Sequence, residues 1–73
     1  MSKGVTVLIE IGTPKSDAVR VWSVWMTWVR TMSVNELKEL LKRTYQGDRI
    51  HVDWKRRKVF VNGEVKFFFK YVW

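Results

Sequence analysis

A chain of 73 residues is the size of one domain and buries only about 60% of the surface that its unfolded form exposes, so a second core is excluded. Its 47% hydrophobic and 15% aromatic content, five Trp included, is too apolar for a disordered chain even at a net charge of +7. The absence of cysteine excludes a disulfide framework, a Cys-based zinc site and a thiol nucleophile.

Residues 5–11 alternate, with Val5, Val7, Ile9 and Ile11 on one face and Thr6, Leu8 and Glu10 on the other, which predicts a strand. The cluster Gly12, Thr13, Pro14, Lys15, Ser16 and Asp17 predicts a reversal of the chain. Residues 19–30 then read as one long strand, because Val, Thr and Trp dominate them. The competing helical spacing of Trp22, Trp25 and Trp28 is set aside on that ground. Trp22, Val24, Met26 and Trp28 are expected on its core side. That leaves Trp25 exposed among Val21, Ser23, Thr27 and Val29.

Ser33 with Glu36 three residues later forms a capping box that opens a helix. Val34, Leu37, Leu40, Leu41 and Tyr45 form its apolar stripe, and Lys38, Glu39, Lys42 and Arg43 face outward. Gly47 is placed to take the left-handed conformation that closes the helix near Gln46. Residues 49–54 alternate Ile50, Val52 and Trp54 against Arg49, His51 and Asp53, a third strand. Lys55, Arg56, Arg57 and Lys58 form a basic hairpin loop before a short strand over 59–61. Asn62 and Gly63 are the strongest hairpin signal in the chain. The last strand, 64–73, alternates Val65, Phe67, Phe69, Tyr71 and Trp73 against Glu64, Lys66, Phe68, Lys70 and Val72.

The expected order is ββαβββ, a single α+β domain over 1–73. It is a two-layer sandwich in which one mostly antiparallel sheet carries one helix across one face. The two strands before the helix and those after it resemble β-grasp folds, such as ubiquitin-like and immunoglobulin-binding domains, in topology alone, and fold carries no function. No stretch approaches the roughly 18 to 20 apolar residues of a membrane span, and the start, Met1 to Gly4, lacks the apolar region of a signal peptide. The expectation is a soluble, cytoplasmic protein that needs no membrane. Few Asn and Gln with many Val, Lys and Arg give a thermophile-like composition.

The charge is uneven. Residues 1–40 set five cations against four carboxylates, a net +1, whereas residues 41–73 set nine against three, a net +6. Such asymmetry is the footprint of a polyanion-binding surface, although charge of this size also keeps a Trp-rich domain soluble. Catalytic readings fail on inventory. His51 is the single histidine, and its only near carboxylate, Asp53, reads as a neighbour on the same strand face. The four glycines are scattered turn residues that form no phosphate loop. Neither a cofactor nor a metal site is expected, and the chain reads as a non-enzyme.

If the helix covers one sheet face, the other carries Arg49, His51, Lys58, Phe60, Lys66, Phe68 and Lys70. Trp25 and the basic turn Lys55, Arg56, Arg57 and Lys58 lie beside it. Cations neutralise phosphates while flat rings stack on unpaired bases, so this alternation points to nucleic acid, single-stranded or duplex. The alternative reading is a protein-interaction module: a homodimer, an inhibitor of a larger machine or an engineered binder. It rests on the Trp and Met enrichment of residues 19–30, since those residue types dominate interface cores.

Overall fold

The computed structural model describes residues 5–25 and 27–72. Six strands and one helix follow in the order β1 (Val7–Ile11), β2 (Ala18–Ser23), β3 (Trp28–Ser33), α1 (Val34–Thr44), β4 (Arg49–Asp53), β5 (Lys58–Val61) and β6 (Glu64–Val72). All six strands join one sheet in the order β1-β4-β5-β6-β2-β3. Four neighbouring pairs are antiparallel. β1 runs parallel to β4 at one edge, so the sheet is mixed.

The long strand expected over 19–30 is instead a hairpin. After Ser23 the chain turns back, with the Ser23 amide on the Thr27 carbonyl at 2.8 Å and the Thr27 amide on Ser23 Oγ at 3.2 Å. A straight strand with two apolar faces would leave one of them bare in a two-layer fold. Folding it in half gives both halves sheet partners and sets Trp28 against Trp22, centroids 5.4 Å apart. Among the described residues three strands therefore precede the helix, in place of the two on which the β-grasp resemblance rests.

The inward face of β2 also differs from expectation. Val19 and Val21 are fully buried, whereas Trp22 is half-buried on the opposite face and Trp28 is 50% exposed. Cross-strand pairing imposes this facing. Val21 lies opposite Phe69, and Trp22 lies opposite Phe68. Phe69 points into the core, so its partner must do so as well. The expected inward facing of Met26 lies outside the described residues.

α1 forms as the sequence predicts. Ser33 Oγ accepts from the Glu36 amide at 3.1 Å, and the Glu36 carboxylate accepts from the Ser33 amide at 3.4 Å. Its stripe of Val34, Leu37 and Leu41 packs on Val19, Val21, Met32, Ile50, Val52, Trp54, Val59 and Phe69. Chain reversal at Gly47 uses a φ of 82°, which glycine adopts without strain. At the same end of the sheet, Asn62 and Gly63 both have positive φ, the tight turn predicted between the last two strands.

Glu10 ties the edge strand to the core. Its carboxylate accepts from the Trp54 indole at 2.8 Å and meets the Lys38 ammonium of α1 at 3.1 Å. Burial alone would raise this carboxyl, but Trp54 and Lys38, with Lys42 farther off, outweigh it and hold the pKa below the ordinary glutamate value. A lowered folded pKa gives stability that is complete above the unfolded value of about 4.3 and is lost as pH falls through the folded one. The urea midpoint of Glu10→Gln should therefore lie below the parent's at neutral pH, and the gap should close near pH ~2. A constant gap across that range would disprove the linkage.

Candidate nucleic-acid interface

The face of the sheet away from α1 can be read from cross-strand pairing. Lys58 lies opposite Phe68, Phe68 opposite Trp22, and Trp22 opposite Trp28. One step along β6, Lys70 lies opposite Arg20, which lies opposite Thr31. A row of rings thus crosses three strands, with a row of cations beside it. The Lys70 ammonium stands 5.9 Å from the centre of the Trp22 ring, within cation–π range.

The basic turn joins these rows. Asp53 is 5% exposed, and its Oδ1 accepts from the amides of Lys55 at 3.1 Å and Arg56 at 2.9 Å. Its carbonyl accepts from the Arg57 amide at 2.8 Å, and the Arg57 carbonyl accepts from Phe69 of β6 at 3.1 Å. The turn is therefore closed on a buried carboxylate and stitched to β6 next to Lys70. Asp53, expected as a surface neighbour of His51, instead organises this turn. Arg57 has a φ of 59°, a left-handed conformation that costs a non-glycine residue about 1 kcal/mol or more. An arginine sits where glycine would be the unstrained choice.

Together these elements enclose a shallow groove of about 480 Å³ lined by Trp22, Arg56, Arg57, Phe68, Phe69 and Lys70. Of the residues expected at the site, Arg56, Arg57, Phe68 and Lys70 meet here, and Lys58 borders it as the partner of Phe68. Phe60 and His51 pair on the same face farther along, and His51 lines a second depression with Arg49, Asn62 and Gly63. Lys55 leans away, its stem beside Gly12. Lys66 occupies the irregular step in the β5–β6 register, and its ammonium meets Glu64 at 3.4 Å. Trp25 is 84% exposed but stands in the β2–β3 turn rather than on the sheet face.

The sequence reading missed Trp22, Trp28 and Arg20 as members of this surface. A usable signal was present, since Arg20 shares its parity on β2 with Trp22. A charged side chain does not enter an apolar core without a partner, so Arg20 assigns Trp22 to the solvent side.

Tyr71 packs edge-on against Phe69 on the core side of β6, with ring centroids 5.9 Å apart. Its hydroxyl donates to the Trp54 carbonyl at 2.7 Å, and burial pushes the phenol above its ordinary pKa, so it stays a neutral donor. Among the described residues no helix is long and apolar enough to cross a membrane. No protein-family model, curated protein or solved structure matches this chain.

Proposed function

We propose that this domain binds nucleic acid, holding phosphates with Arg56, Arg57 and Lys70 and presenting Phe68 and Trp22 to bases. The observation that carries the reading is the meeting of the basic turn and the aromatic sheet face in one groove. Cations alone would serve solubility. Rings between them supply the second contact that nucleotides need. The left-handed Arg57 adds to this, because backbone strain kept at an exposed cation fits a binding role better than a structural one.

The test is oligonucleotide titration across a salt series. Affinity should fall linearly with log salt, by roughly 0.7 to 0.9 per phosphate neutralised. Replacing Lys55, Arg56, Arg57 and Lys58 together by Ala should flatten that slope by about 1.5 to 3 units. Arg57→Gly should weaken binding while stabilising the fold by up to about 1 kcal/mol. Affinity that does not change with salt would reject the reading.

A second reading, as a protein-interaction module or homodimer, is favoured by one observation. The edge strand β1 turns Val7, Ile9 and Ile11 outward, each 38% to 43% exposed, and Trp25 projects at a hairpin tip. Light scattering at high micromolar concentration separates the two, since a stable dimer that Ile9→Lys dissolves would support it.

A further inference from the structure

The two rows define more than a basic patch. Trp28, Trp22 and Phe68 stand on adjacent strands, and neighbouring strands lie about 4.8 Å apart, so the rings follow one another across the sheet rather than along it. Arg20 and Lys70 keep the same order one step farther along, and Arg57 continues that row through its bond to Phe69. A chain crossing the strands would therefore meet rings on one flank and cations on the other. That is the layout of a nucleotide strand, with bases on one side and phosphates on the other.

We propose that the ligand is a single strand of nucleic acid laid across β3, β2 and β6, its bases stacked on Phe68 and Trp22 and its phosphates held by Lys70, Arg56 and Arg57. The inference rests on the nucleic-acid reading and names its substrate class. Duplex is disfavoured by the shape of the site. In a duplex the base faces are covered by their neighbours, so rings lying on a sheet would meet only sugars and phosphates. Duplex reading uses a projecting helix or ribbon in a groove. The helix here lies on the other layer, and the groove of about 480 Å³ is walled by the sheet and one tight turn. Splayed bases, by contrast, stack readily on sheet-borne rings, and each unpaired base presents a face for the purpose.

The experiment compares four ligands of roughly 12 nucleotides, within the usual single-strand site sizes, by Trp fluorescence and anisotropy in one buffer. They are oligo-dT, oligo-U, a duplex, and an abasic strand that keeps every phosphate. Binding of either single strand about tenfold or more tighter than duplex and abasic strand is expected, with the tighter of the two naming the sugar. Phe68→Ala should lower single-strand affinity about tenfold and leave abasic binding unchanged. Phe68→Leu, which keeps apolar bulk and removes only the ring, should show the same loss if the alanine variant folds poorly. Duplex or abasic strand bound as tightly as oligo-dT, with normal salt dependence, would overturn the single-strand assignment and leave the nucleic-acid reading standing. No salt-dependent binding to any of the four would overturn both.

Discussion

Trp54→Ala should destabilise the domain by about 3 to 5 kcal/mol, the usual cost of removing a large buried ring. A chain of 73 residues has a total stability of only about 4 to 11 kcal/mol, so the variant is expected to be partly or wholly unfolded at physiological temperature. Among the described residues Trp54 is fully buried and is the largest of the side chains without solvent contact. Its ring packs edge-on against Phe69 with centroids 5.2 Å apart, and its N–H is the donor that holds Glu10 and with it the edge strand β1. Removing it leaves a cavity between sheet and helix and frees an otherwise bound carboxylate. Trp54→Phe keeps one ring but loses the donor and the second ring of the indole, for a smaller cost of about 2 to 3 kcal/mol. Urea unfolding followed by circular dichroism measures both. An alanine variant within about 1 kcal/mol of the parent would show that the core does not depend on this residue.

Asp53→Ala should cost about 2 to 4 kcal/mol, because two amide hydrogen bonds to a charged acceptor are lost together. The more telling effect is on binding. Removing a carboxylate raises the net charge, which by itself would strengthen attraction to phosphates. The structure leads to the opposite expectation, because Asp53 Oδ1 fixes the Lys55 and Arg56 amides and so holds Arg56 and Arg57 at the groove. Once the turn is released, the cations must be ordered again on binding, and affinity should fall several-fold despite the added charge. Asp53→Asn retains an oxygen acceptor and should fall between parent and alanine. Combined urea titration and oligonucleotide titration at fixed salt decide the matter. Unchanged stability with increased affinity would mean that the turn acts only as loose charge.

These expectations differ in how far they were visible in the sequence. The inward facing of Trp54 followed from its alternation with Ile50 and Val52, and all three are fully buried. The helix followed from the Ser33 and Glu36 capping box, and the last hairpin from Asn62 and Gly63, because each is a local device whose partners lie within four residues. The hairpin of β2 and β3 was not legible. Its turn contains no Gly, Pro, Asn or Asp, and a run of Val, Thr and Trp has the same propensity whether it continues or folds back. Only the demand for sheet partners on both halves breaks the run at Ser23.

The chain by itself determined its periodicities, its capped helix, the Asn62–Gly63 turn and the concentration of positive charge in its second half, since these depend on neighbours in sequence. Tertiary structure decided where the run over 19–30 folds back and which face of β2 looks inward, and with it the membership of the groove. Trp22 reaches the surface because Val21 must pair with the buried Phe69. Arg56 and Arg57 reach the same place because a buried Asp53 closes their turn against β6. Both outcomes are set by cross-strand register, a relation between residues far apart in the chain that only the assembled sheet imposes.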